Sequence, residues 1–186
     1  TYAALKLYID NWRWQGVPFY LRSGKALKRK ASEIIIEFQQ PPLHLFDSPG
    51  HERTPPNRLS ICIQPDEGIH LKFDAKLPDT REGRPVDMEF HYNTAFGEDP
   101  IPEAYERLLL DALLGDAGLF AREDEIEGSW RLIDQIINGW ADDPSALPMA
   151  SYTPGTWGPV EAQELLDANG HNWLMGCIHE NGSHHD

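Results

Sequence analysis

Cysteine is nearly missing from this chain. Cys62 and Cys177 are the two among 186 residues. They lie far apart and form no Cys-x-x-Cys spacing, so neither a zinc knuckle nor a disulfide framework is expected. Both are read as reduced thiols of a cytoplasmic protein. Long apolar runs are missing too: no stretch approaches the about 18 residues that a membrane span needs, and no signal peptide opens the sequence. Positive charge is scarce, with 16 Lys and Arg against 30 Asp and Glu and a net charge of −14. That balance excludes a surface built to coat nucleic acid or an anionic membrane. What is present suffices for a core, since 40% of the residues are hydrophobic and six are Trp, in a chain the size of one domain. The opening "TYAALKLYID" already lies inside an amphipathic pattern, and the chain is expected to be cut from a longer one.

The few cations are concentrated. Arg22, Lys25, Lys28, Arg29 and Lys30 all fall between Leu21 and Lys30. Cations so close together repel one another, and an anion or nearby carboxylates relieve that repulsion. A small phosphomonoester fits, because ammonium groups supply charge-assisted hydrogen bonds to its nearly two negative charges. Gly24, just before Lys25, lets backbone come close. The competing reading is a solvated basic loop after a strand. A Walker A loop is excluded, because Phe19 stands where its first glycine belongs and Ala26 where Ser or Thr follows the lysine.

Two hydrophobic periods divide the chain. Leu5, Ile9 and Trp12 have helical spacing and predict a helix that Gly16 and Pro18 end, leading into a strand. Glu33 to Phe38 alternates as a strand. The proline-rich stretch from Pro41 to Asn57 is a loop. Leu59, Ile61 and Ile63 alternate, then "PDEG" turns the chain into Ile69, Leu71, Phe73, Ala75 and Leu77, a hairpin. Val86 to Tyr92 is a further strand with one polar face. Beyond it the period becomes helical: one helix follows Pro102 and ends at Gly115, and another carries Ile126, Trp130, Ile133, Ile137 and Trp140. A short helix lies between Pro159 and Gly170. Strands first and helices after predict one α+β domain, a large antiparallel or mixed sheet with helices packed on one face.

"TYAALKLYIDNWRWQGVPFYLRSGKALKRKASEI", "RLSICIQPDEGIHLKF", "EAYERLLLDALLGD" and "GTWGPVEA" closely resemble the C-terminal domain of the glucose-6-phosphate dehydrogenase family in its bacterial form. The resemblance covers residues 1–172 and leaves 173–186 as a polar tail. It implies an enzyme that oxidises glucose 6-phosphate at C1 and passes hydride to NADP, built from a Rossmann domain and this second domain, which supplies sugar-phosphate contacts and a homodimer interface on its sheet. The family's two phosphate-binding lysines map onto Lys25 and Lys30, with Lys28 and Arg29 adjacent to the second. A family glutamine that touches the sugar maps onto Gln64, which is also an ordinary polar neighbour for Ser60 and Cys62. Arg22 and Lys72 map near a second, structural NADP site, but Ala31 and Trp157 replace basic residues there, so no cofactor is expected in this chain.

Neither the family's glycine fingerprint nor its "RIDHYLGKE" type motif, which holds the general base, occurs in these residues, and no catalytic residue is assigned. Proton removal and hydride transfer both need such groups in position. His91, in "EFHYNTAF", is read as a strand residue. His44 and His51 lack further ligands, and His184 and His185 belong to the polar tail, so no metal site is expected. A free-standing, non-catalytic binding protein of the same fold is the alternative function.

Overall fold

The opening segment is a strand rather than the helix its apolar spacing predicts. In the computed structural model, which describes residues 1–40, 42–43, 55–97, 101–102, 104–142 and 149–177, β1 (Tyr2–Leu7) pairs antiparallel with β2 (Phe19–Gly24). Ala3, Leu5 and Leu7 face Ser23, Leu21 and Phe19, so period two is satisfied within the pair. The ladder to β2 overrides a helical spacing that only Ile9 and Trp12 extend beyond the strand. Those two fall in the connection, where Trp12 is fully exposed. Asn11 shapes that connection by accepting from the Arg13 and Trp14 amides at 3.1 and 2.9 Å.

The remaining strands form a meander, β3 (Ser32–Glu37), β4 (Arg58–Gln64), β5 (Gly68–Lys76) and β6 (Gly83–His91), antiparallel in that order. The hairpin read around "PDEG" is β4 and β5. On one face of the sheet Ile34 pairs with Ile61, Ile61 with Ile69 and Ile69 with Phe90. The other face carries Ser60 opposite His70 and His70 opposite Glu89. Tyr92, expected in the last strand, instead begins the short α1 (Tyr92–Phe96), and its amide donates to the Glu67 carbonyl at 3.1 Å.

The chain divides into two compact units, residues 1–100 with 154–186 and residues 101–153. The second unit holds the two longer helices that periodicity predicts, α2 (Ala104–Leu114) and α3 (Glu123–Asp142). In α2, Asp111 is 1% exposed and receives Arg107 from one turn before at 3.0 Å. Gly115 closes the helix at φ 72°. Glu123, Asp124 and Glu125 occupy the first turn of α3, where the helix dipole favours negative charge. Back in the first unit, α4 (Val160–Asp167) follows Pro159 and buries Ala162 and Leu166, one turn apart. Strands and helices together make the α+β class that the pattern predicts. Among the described residues no helix is long and apolar enough to cross a membrane.

The reading of the cysteines needs correction, because Cys62 and Cys177 are joined as a disulfide. Their separation of 115 residues carried no spatial information. What brings them together is the C-terminal segment, which lies across the polar face of the sheet. Glu33 accepts from the amides of Gly176 and Cys177, each at 3.0 Å. A Cβ at Gly176 would run into Ser60, so only glycine permits this approach. Trp173, Gly176 and Cys177, expected in a polar tail, are therefore packed, while Met175 stays exposed. Cys62 is 4% exposed.

Closing so long a loop restricts the unfolded chain, and such bridges contribute about 2–5 kcal/mol. The double variant Cys62→Ala/Cys177→Ala is expected to unfold at clearly lower urea than the oxidised chain. Equal midpoints without reductant would show that the bridge does not form.

Candidate functional site

Four of the five clustered cations, Lys25, Lys28, Arg29 and Lys30, lie on the connection from β2 to β3. It begins at Gly24, which pairs with Tyr2; a Cβ there would sit 2.7 Å from the Tyr2 ring and 3.2 Å from Leu27. The chain then turns through Ala26 at φ 52°. Backbone bonds fix this turn at both ends. The Lys25 amide donates to the Thr1 carbonyl, and the Lys28 amide donates to the Thr156 carbonyl, both at 2.9 Å. The Gly155 amide returns a bond of 2.8 Å to the Ala26 carbonyl. A basic loop is thus held against a second segment, residues 154–158, and the side chains of Lys25, Lys28, Arg29 and Lys30 are exposed around it.

Arg22 differs from these four. It sits half-buried on β2, with its guanidinium 5.3 Å from the Trp157 ring centre and 4.7 Å from that of Trp173. Burial pushes its pKa down from the ordinary arginine value, and Tyr2 and Glu33 oppose the shift. The group remains a cation. Its contacts join β2, residues 154–158 and the C-terminal segment, and Trp173 in turn donates its indole N–H to the Ala162 carbonyl at 2.9 Å. In the sequence Arg22 belongs to the basic cluster and Trp157 stands where the structural NADP site has a basic residue; only the fold brings the two together.

Gln64 ends β4 and donates to Ser32 Oγ at 2.7 Å. Ser32 starts β3 just beyond Lys30, so strand pairing brings Gln64 to the exit of the basic loop. Lys25 and Lys30 share that loop. Lys72 lies elsewhere, on β5 opposite Arg58 and Asp87. His44, His51, His184 and His185 lie outside the described residues, as does most of the proline-rich loop. His91 is a strand residue, as read, but His70, which the sequence reading did not single out, lies beside it with ring centres 4.8 Å apart.

Chemically, this site presents flexible ammonium groups and an amide on a backbone frame. Such a set has the chemistry to bind a phosphate and a neighbouring hydroxyl.

Comparison with known proteins identifies the fold. The family model described as "Glucose-6-phosphate dehydrogenase, C-terminal domain" matches residues 1–174. The chain belongs to that family. It is 46% identical to the glucose-6-phosphate 1-dehydrogenase of Mycolicibacterium smegmatis over 179 residues, covering 95% of this chain and 35% of that protein. The enzyme of Borreliella burgdorferi is 47% identical over 174 residues, with 93% and 35% covered. Among solved structures, glucose-6-phosphate 1-dehydrogenase from Mycobacterium avium superposes with a TM-score of 0.73 at 37% identity, covering 96% of this chain and 36% of that one. A glucose-6-phosphate dehydrogenase in complex with its substrate glucose-6-phosphate gives 0.78 at 36% identity, with 94% and 35% covered. The chain therefore spans about a third of the length of the curated relatives it matches.

For this glucose-6-phosphate dehydrogenase C-terminal domain, the frame around the basic loop depends on Gly158. Its φ is 113°, and a Cβ would strike the Tyr2 ring. Gly158→Ala is expected to lower stability by about 1–3 kcal/mol and to speed hydrogen exchange of the Lys28 amide, whose acceptor lies two residues away at Thr156. Unchanged exchange at Lys28 would show that the loop does not depend on this contact.

Proposed function

We propose that this chain is the substrate-binding and dimerisation part of an NADP-dependent glucose-6-phosphate 1-dehydrogenase, acting in the cytoplasm on glucose 6-phosphate at the entry to the pentose phosphate route. The observation that carries the reading is the basic loop fixed by backbone bonds to Thr1 and Thr156, with Lys25 and Lys30 on it and Gln64 at its exit. Lys25 and Lys30 hold the phosphate, and Gln64 reaches a sugar hydroxyl.

In the reaction the C1 hydroxyl proton passes to a base while hydride leaves C1 for the nicotinamide of NADP, giving 6-phosphogluconolactone and NADPH. The base and the dinucleotide site belong to a Rossmann domain outside these residues. Binding energy from the phosphate is remote from C1, and it serves the chemistry by fixing C1 between base and nicotinamide. The domains act jointly, and this one alone assembles no complete catalytic set. NADP binds mainly to the other domain. In a reducing compartment the Cys62–Cys177 bridge is open to reduction.

Lys25→Gln, made in an enzyme that joins this chain to its Rossmann domain, is expected to remove a charged hydrogen bond worth about 1.5–3 kcal/mol, and with it roughly ten- to a hundred-fold in kcat/KM for glucose 6-phosphate. Affinity for NADP stays nearly the same. Glucose without its phosphate is the control, and an equal loss for both sugars would show that Lys25 is not a phosphate ligand.

Homodimerisation through the sheet is part of the same proposal. Large apolar side chains there, including Ile34, Ile63, Ile69 and Met88, are exposed at 51%, 49%, 44% and 60%, and two-fold pairing is the commonest closed symmetry. Sedimentation equilibrium in moderate salt, which screens the net charge of −14, is expected to give twice the 21.1 kDa chain mass. A single-chain mass at every concentration would exclude autonomous pairing.

A further inference from the structure

We propose that His70, Glu89 and His91 form a binding site for a divalent transition cation of the zinc class on the polar face of the β5–β6 pair. His70 and Glu89 are directly opposite in the ladder, and His91 follows Glu89 on the same face. One ligand atom from each can be chosen so that all three lie within 4.8 Å of one another. No part of the sugar-phosphate reading uses these residues.

The spacings suit a shared metal as well as an ion pair. Glu89 Oε1 lies 3.7 Å from His70 Nδ1, and Glu89 Oε2 lies 3.6 Å from His91 Nε2. Both are too long for hydrogen bonds. They are close to the edge of a tetrahedron with metal bonds of about 2.0–2.1 Å, an edge of about 3.4 Å. These two distances use different Glu89 oxygens, and with one ligand atom from each residue the separations reach up to 4.8 Å. Closing the tetrahedron therefore takes a side-chain shift on the order of an ångström, which the half-exposed Glu89, 43% accessible, has room to make.

The tautomer is also prepared. His91 Nδ1 lies 3.1 Å from Asp66 Oδ2, so the tautomer with its N–H on Nδ1 donates to that carboxylate and leaves the Nε2 lone pair on the Glu89 side. A carboxylate behind a ligating imidazole is the usual outer partner at such centres, and it orients the ring and raises its basicity. His70 is nearly buried, its side chain 9% exposed. Two imidazoles and one carboxylate suit zinc, cobalt or nickel, whereas magnesium and calcium prefer oxygen alone. Three protein ligands leave a fourth position for water on the exposed Glu89 side. Bound there, the cation ties β5 to β6.

The test is calorimetric titration of Zn2+ into the EDTA-treated 186-residue chain. It is made in a His179→Ala/His184→Ala/His185→Ala background, so that imidazoles near the C-terminus do not contribute. One equivalent is expected to bind, with a rise in Tm, and Co2+ in its place is expected to give the intense visible absorption of four-coordinate cobalt. Glu89→Gln and His91→Ala are each expected to weaken Zn2+ at least a hundred-fold, and Asp66→Asn to weaken it about ten- to a hundred-fold. Glu89→Gln is a half-exposed, nearly isosteric change, so it carries the test even if His91→Ala unfolds. Zn2+ affinity unchanged by Glu89→Gln, or binding that vanishes in the tail background alone, would overturn the proposal.

Discussion

The first unit depends on one cation between two indoles. Arg22 lies on a short two-stranded sheet that shares no ladder with the four-stranded meander, so something other than β pairing must connect them. Its guanidinium meets Trp157 from the segment that docks the basic loop and Trp173 from the segment that crosses the larger sheet. Cation–π contacts of this kind contribute about 0.5–2 kcal/mol, more when water is excluded, as it partly is here. Lysine would keep the charge but lose the flat stacking surface. Glu33 extends the chain of contacts, because it opposes the burial shift on Arg22 and also caps the Gly176 and Cys177 amides.

The proposed role of the exposed lysines draws on this arrangement. A long ammonium side chain is costly to order, and a flexible loop would add its own ordering entropy to every binding event. Backbone bonds at Lys25 and Lys28, with Ala26 in the left-handed region between them, remove part of that cost before a ligand arrives. Under the proposed function, this domain would fix the distant anionic end of the substrate while the chemistry takes place against groups that another domain carries.

Much of this was legible in the sequence, for reasons that differ by element. The β4–β5 hairpin and α3 have periods that survive any tertiary context, since strict alternation and a four, three, four, three apolar spacing each fit one geometry. The basic loop was legible as a local excess of charge in an acidic chain. β1 was not, because Leu5, Ile9 and Trp12 mimic a helical face while the strand's real partners sit on β2. The sulfur bridge and the stacking of Arg22 on Trp157 join residues far apart in the sequence, which no local pattern reports. His70 and His91 look like isolated strand histidines until the register places Glu89 between them.

The bridge from Cys62 to Cys177 has a topological consequence. The chain leaves the first compact unit at Pro100 and re-enters it at Pro154, so the α2–α3 unit is an excursion wholly inside the covalent ring that the bridge closes. A peptide bond cut anywhere in that excursion opens the ring without releasing a fragment. The N-terminal part and the C-terminal part, with the Trp157 and Trp173 that clasp Arg22, stay one molecule until the sulfurs are reduced. The oxidised fold is in this sense tolerant of breakage in its helical insert, and the reduced fold is not.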